Sequence, residues 1–369
     1  MLKRIGGFWR KEMVLCISAL CAVVTMFFVP PDSRYIDYID LRVLCLLLSL
    51  MAVVAGAQAC GLFRWLASTL LRRSRSGRIL GMTLVLLPFF SAMLVTNDVA
   101  LLVFVPFTLG LLSQMDCRRA VIPMLVLQTI AANLGSMATP VGNPQNLFIF
   151  AAYTLEAEAF FSVTVPLTAV SLLALVTASV PVLPRKIPEP QLKQEKLRSS
   201  GKLGVYGALF VLCLLTVFRL LPYGVTTLVV LAVLAVEDRK LLKTLDYGLL
   251  ATFVCFFVVS GNLGRIEGIR AVLQKMLERN ALLTAAGASQ IISNVPAAVL
   301  LSGFTEQWKP LLEGVNIGGL GTPIASLASL ITLKQYLRWP EARAGKFVLV
   351  FLAANILGLV LLLAVAWML

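Results

Sequence analysis

Residues 133–146 read "NLGSMATPVGNPQN" and sit between two apolar runs. Two Gly, two Pro, three Asn, a Gln, a Ser and a Thr are packed into this stretch. Residues 316–329, "NIGGLGTPIASLAS", repeat the pattern. Asn133 matches Asn316, Gly135 matches Gly318, and Thr139–Pro140 match Thr322–Pro323 at the same spacing. Greasy sequences match Leu with Leu by chance far more easily than they match Asn-x-Gly and Thr-Pro together. The repeated break therefore reads as one structural unit used twice.

The rest of the chain sets the context. It has 369 residues, 59% hydrophobic and 14% charged, and a mean hydropathy of +0.91. Soluble domains are less apolar and carry about a quarter charged residues. Long apolar runs lie at 13–30, 41–61, 159–183, 203–221, 244–262 and 347–369. These features specify an all-α polytopic membrane protein. The formal charge of +14 sits mainly in short loops, so it reads as positive-inside bias and not as a nucleic-acid surface. No His is present, which excludes His relays, His metal ligands and Ser-His-Asp catalysis. The seven Cys contain no CxxC pair and read as small apolar residues. No cofactor is expected beyond a coupling ion, and no enzyme activity.

Loop charge orients the chain. Lys3, Arg4, Arg10 and Lys11 predict a cytoplasmic N-terminus followed by a retained first helix. "PDSRYIDYID" (31–40) reads as outside. "RWLASTLLRRSRSGR" (64–78), "DCRR" (116–119), "EDRKLLK" (237–243) and "KQYLRWPEARAGK" (334–346) read as inside. For these sides to alternate, residues 79–112 and 281–304 must each enter and leave on one face, as re-entrant hairpins. Residues 264–280 and 61–75 read as matching amphipathic interfacial helices. The predicted organisation is two inverted-topology repeats with about nine spans in all. Residues 1–183 form the first, with hairpin 79–112 and broken helix 118–154. A cytoplasmic linker occupies 184–202. Residues 203–369 form the second, with hairpin 281–304 and broken helix 308–333.

The hairpins carry a second matched pair. Thr96-Asn97 in "MLVTNDVALLV" corresponds to Ser293-Asn294 in "QIISNVPAAVLL". Non-helical backbone at membrane depth is tolerated where it lines a polar cavity. There, freed carbonyls and Asn or Ser oxygens suit Na⁺, and half-helix N-termini suit an anion. The predicted site comprises Thr96, Asn97, Asp98, Gly135, Ser136, Thr139, Pro140, Asn143, Asn146, Ser293, Asn294, Pro296, Gly318, Gly319, Thr322, Pro323 and Ser326. Na⁺ is assigned to Asn97, Gly135, Asn294 and Gly318. Asp98 is an ionisable residue in a membrane segment and reads as a ligand of the coupling cation or a proton carrier. Glu156 and Glu158 read as outside-loop charges.

At these residues the chain resembles the ion transporter superfamily of divalent-anion/sodium symporters, citrate carriers, arsenite permeases and a class of sodium/proton antiporters. The tips resemble that group's Ser-Asn-Thr signatures, with Asp98 and Val295 in place of the final Thr. "TNDVALLVFVP" looks more like the arsenite permeases. "TPVGNPQN" looks more like the citrate and sodium/proton branches. The overall match is to a small bacterial anion-permease branch. The resemblance implies Na⁺ and substrate binding at the tips and breaks, an elevator-type motion and a homodimer. The function it implies is secondary transport of a small, carboxylate-like anion across the bacterial cytoplasmic membrane, coupled to Na⁺ or H⁺. The alternative is arsenite efflux or sodium/proton antiport, which a carboxylate at Asp98 would suit.

Overall fold

The computed structural model describes residues 13–71, 76–185 and 195–369. The N-terminal basic cluster and most of the linker, on which the orientation and linker readings rest, lie outside the described residues. The described chain is all-helical, with no strand.

Helices α1 (Met13–Phe28), α2 (Leu41–Ala59) and α3 (Leu62–Leu71) open the first half. α4 (Gly77–Ala92) and α5 (Asn97–Gln114) follow. Then come α6 (Val121–Ser136), α7 (Pro144–Ala152) and α8 (Ala157–Ser179). The second half holds α9 (Ser200–Val217), α10 (Tyr223–Glu237) and α11 (Tyr247–Gly264). It continues with α12 (Glu267–Ile292), α13 (Asn294–Ser302), α14 (Trp308–Ile317), α15 (Leu327–Leu337) and α16 (Ala344–Met368).

Six helices (α2, α5, α8, α9, α11 and α16) are long and apolar enough to cross a bilayer. The broken helices escape that count because neither of their halves reaches the ~20 residues a single span needs. The first break falls at residues 137–143, between α6 and α7, and the second at 318–326, between α14 and α15. α15 continues to Leu337, beyond the expected end at 333, and stops where Pro340 disfavours helix for the residue before it.

The chain also turns within residues 79–112 and 281–304. α4 and α5 are joined by residues 93–96. α12 kinks at Asn280 (φ −165°, ψ 93°), and the Asn280 side chain caps the new helix by accepting from the Leu283 N–H at 2.8 Å. The segment before that kink keeps Ile269, Val272 and Met276 exposed, which fits an apolar face turned to the membrane interface.

Packing interlocks the two halves. α1 lies on α11, and α10 lies on α2. Each hairpin packs on the first half of its own broken helix: α4 and α5 on α6, α12 and α13 on α14. The second halves cross over, so that α15 packs on α5 of the first half and α7 on α13 of the second. As a result, each of the two large apolar cores draws on both halves of the sequence.

Candidate functional site

Four half-helices begin at one place. The N-terminal residues of α5 (Asn97, Asp98), α7 (Pro144, Gln145), α13 (Asn294, Val295) and α15 (Leu327, with Ser326 before it) line a single cavity together with Leu249 of α11. The cavity is about 10 Å3, roughly the space of one water molecule or small ion. Unpaired first-turn N–H groups give each helix start a partial positive charge. Four such ends at one cavity lend it partial positive charge beside the Asp98 carboxyl, with no Lys or Arg among its lining residues.

The breaks exist because the backbone there is held by side chains. Asn97, Asn133, Asn143, Asn146, Asn294 and Asn316 are all buried. A buried amide left unpaired costs on the order of 1–3 kcal/mol. Asn133 Oδ1 accepts from Asn97 Nδ2 at 2.8 Å and from Ser326 Oγ at 3.0 Å, which ties the first tip to the opposite break. A second link joins the two breaks: Asn143 Nδ2 donates to Asn316 Oδ1 at 3.2 Å, and Asn316 Nδ2 donates to Asn146 Oδ1 at 2.7 Å. Asn143 also caps α7, accepting from the Asn146 N–H at 2.8 Å. Asn146 Nδ2 holds the broken backbone through the carbonyls of Met137 and Thr139, both at 3.1 Å.

Each Thr-Pro pair is anchored to its own hairpin. Thr139 Oγ1 donates to the Met93 carbonyl at 2.5 Å, and Thr322 Oγ1 to the Gln290 carbonyl at 3.2 Å. Met93 and Gln290 both lie four residues before their tip Asn. Gln290 adds a second clamp, donating from Nε2 to the carbonyls of Gly318 (2.8 Å) and Leu320 (2.9 Å). The matched glycines permit this closeness. A Cβ on Gly135 would meet the Phe89 carbonyl oxygen at 2.1 Å, and one on Gly318 would meet Ala286 Cα at 2.8 Å. A Cβ on Gly319 would lie 2.9 Å from Asn294 Nδ2.

Of the residues singled out from sequence, Asn97, Asp98, Asn294 and Ser326 line the cavity. Ser136, Thr139, Asn143, Asn146 and Thr322 brace the breaks. Thr96 and Ser293 start α5 and α13 without a side-chain cap. Pro296 is buried in the first turn of α13. Pro140 and Pro323 lie within the breaks. The oxygens of the four residues read as Na⁺ ligands each already accept an N–H. Asn97 Oδ1 takes Asp98 N, Gly135 O takes Ala138 N, Asn294 Oδ1 takes Val295 N, and Gly318 O takes Gln290 Nε2. Asn97 Oδ1 and the Gly318 carbonyl keep a lone pair, whereas the Gly135 carbonyl also accepts from the Met137 N–H and Asn294 Oδ1 also accepts from Ser293 Oγ at 3.5 Å. Asp98 differs: its Oδ1 is buried with no hydrogen-bond partner. Among the described residues no cluster of His, Cys, Asp or Glu could hold a metal.

The sequence reading omitted Asn133 and Asn316 from the site, although it used them to align the repeat. It also passed over Gln145, Gln290 and Leu249. Gln145 was legible, next to the cap Asn143. Nothing local marks Leu249, which only the packing of α11 brings to the cavity.

Residues 7–313 match the model of a family described as "Citrate transporter". An uncharacterized transporter of Methanocaldococcus jannaschii is 33% identical over 95% of this chain and 88% of its own length. The inner membrane protein YbiR of Escherichia coli is 31% identical over 86% of each. A silicon efflux transporter of Oryza sativa subsp. japonica is 36% identical over 36% of this chain and 27% of its own length.

Proposed function

The chain belongs to the citrate transporter family and is a multi-pass membrane transporter, not an enzyme; from that premise we propose that it is a secondary carrier of a small, carboxylate-like anion in the bacterial cytoplasmic membrane. The observation that carries this reading is the meeting of four half-helix N-termini at one cavity. Fixed N–H groups and helix dipoles favour an anion there.

Asp98 supplies the coupling. It lies in the first turn of α5, so its ionised carboxylate is itself an anion at a positive helix end. An ionised Asp98 competes with the substrate for the same dipoles and repels it. A proton or a Na⁺ on the free Oδ1 removes that repulsion and releases the four helix ends to the substrate. Substrate and cation then bind together, which is symport. In a Na⁺-coupled carrier the spare lone pairs of Asn97 and Gly318 join the cation's shell, and Gly135 and Asn294 enter it by giving up one of their two donors.

Alternating access follows from an inverted repeat. We assign α1, α2 and α9–α11 to a scaffold, and the two hairpins with the two broken helices to a moving body, with the scaffold forming a homodimer and the N-terminus cytoplasmic. The contact pattern supports an elevator. α2 packs on α7 and α11 on α13, while α5 and α15 pack on each other. In the topology read from loop charge, α7 and α13 lead to outer loops and α5 and α15 to inner ones. A scaffold that grips the outer half leaves the body displaced inward, which fits Leu249, in the first turn of α11, at the cavity.

A second reading, efflux of a small oxyacid or Na⁺ in exchange for H⁺, is favoured by the carboxylate at the cavity and by the partial likeness to a silicon efflux transporter. One preparation separates the two. Proteoliposomes are screened for uptake and efflux of carboxylates, sulfate, phosphate and arsenite under imposed Na⁺ and H⁺ gradients. For symport, Asp98→Asn abolishes gradient-driven carboxylate accumulation and leaves carboxylate exchange intact. Wild-type accumulation in the variant across pH 5.5–8.5 would remove Asp98 from the coupling. Wild-type protein that moves no carboxylate in either direction would overturn the proposed substrate class.

A further inference from the structure

A second cavity lies away from the four helix starts. Arg42 in the first turn of α2 and Arg219 in the turn between α9 and α10 face it, with Leu220, Leu221, Pro222 and Tyr223 completing its wall. Its volume is about 390 Å3, within the range of small-ligand sites. The loop charges place this end of the molecule outside.

The arrangement holds two like charges together without a counterion. Neither arginine forms an ion pair among the described residues. Asp40, two residues before Arg42, has an oxygen committed to capping α2, accepting from the Val43 N–H at 3.0 Å. Desolvation, and then the charge of Arg42, push the Arg219 guanidinium down from its ordinary value, and Glu156 acts less strongly the other way. Two guanidiniums lining one cavity favour an anion between them. Arg219 is also held in place. Its φ is +63°, a left-handed conformation that is uncommon for residues other than glycine. Its Nη2 lies 3.5 Å from the Phe150 carbonyl at the outer end of α7. The neighbouring phenyl rings of Phe218 and Phe150 stack edge-on, 5.9 Å between centroids.

We propose that Arg42 and Arg219 form an anion-binding site on the outer face that holds the phosphate of an anionic phospholipid. The chemistry, a negatively charged oxygen group bridged by two arginines, is shared with a free carboxylate. The wall favours the lipid. Leu220 is 70% exposed and Tyr223 is 38% exposed, an apolar and aromatic rim of the kind that accompanies lipid headgroups. Arg rather than Lys suits bidentate grip on a phosphate. The site joins the α9–α10 turn to α7, so an occupied site would brace the scaffold against the outer end of the moving body.

The test uses the full-length protein, delipidated in detergent and supplemented separately with phosphatidylglycerol, phosphatidylcholine or citrate. Thermal stability is read in each. Phosphatidylglycerol should raise Tm by several degrees over phosphatidylcholine. The double variant Arg42→Gln/Arg219→Gln should lose most of that increment while keeping its Tm in phosphatidylcholine. Arg270→Gln, a change at another outer arginine, should keep it. Native mass spectrometry should find fewer retained phosphatidylglycerol molecules on the double variant. If the double variant does not fold, the single variant Arg42→Gln must show a reduced increment and reduced retention. An unchanged increment in the variants overturns the site. Stabilisation by citrate that the substitutions abolish, with none by phosphatidylglycerol, overturns the lipid as its occupant.

Discussion

Ser293 makes the whole reversal of the second hairpin, because a single residue separates α12 from α13. Its φ of 73° and ψ of 155° lie in a region that glycine occupies almost alone, at a cost of about 1–3 kcal/mol for other residues. The first hairpin spreads the same reversal over residues 93–96, and Thr96 there is relaxed and extended at φ −64°. A strained non-glycine residue persists where its side chain is used. Ser293 Oγ donates to the Ala325 carbonyl at 3.3 Å and so ties the tip to the break of its own half. Ser293→Gly should therefore fold with an unchanged or higher Tm and transport poorly. Ser293→Val should lower Tm by several degrees, since a β-branched side chain resists positive φ. A Tm order with Val above Gly, measured by thermal unfolding in detergent, would contradict the strain.

At the scale of the element, the broken helices work because glycine lets each lie directly on the hairpin. Gly135 faces the Phe89 carbonyl, and Gly318 faces Ala286 and Ser289. Phe89 and Ala286 both lie eight residues before their tip Asn, so the two close approaches occupy corresponding places. Gly135→Ala forces a methyl to 2.1 Å from a backbone oxygen, an overpacking that costs about 1–3 kcal/mol or more. Its Tm should fall by several degrees and transport should fail. Gly110→Ala in α5, with nothing within 4 Å of the added methyl, should hold or raise Tm through helix propensity. Equal effects of the two substitutions would show that close approach is not what the break requires. The Asn-x-Gly and Thr-Pro spacing drew attention to these positions, but the close approach itself was not legible, because Gly135 and Gly318 read as Na⁺ ligands. The bridging roles of Asn133 and Asn316 were not legible, because their partners Ser326, Asn143 and Asn146 lie in the opposite half.

At the scale of the whole molecule, the inward-displaced body proposed above has an experimental signature. In a cysteine-free background, Leu249→Cys beside the cavity should react with a membrane-impermeant maleimide in inside-out vesicles and resist it in right-side-out vesicles. The substrate anion should slow that reaction. Labelling of Leu249→Cys from the outside alone would reverse the assigned state.

The sequence by itself determined that the chain is an all-helical membrane protein, and it marked the Gly- and Pro-rich stretches at which helices stop and restart. These are local properties: apolar length, Pro and Gly placement and buried polar side chains act within a few residues of themselves. Tertiary structure alone decided that α7 and α15 exchange partners across the two halves, that four helix starts meet, and that Leu249 joins them. Those facts depend on which surfaces bury each other, and an apolar helix face carries no record in its own sequence of the equally apolar face it will cover.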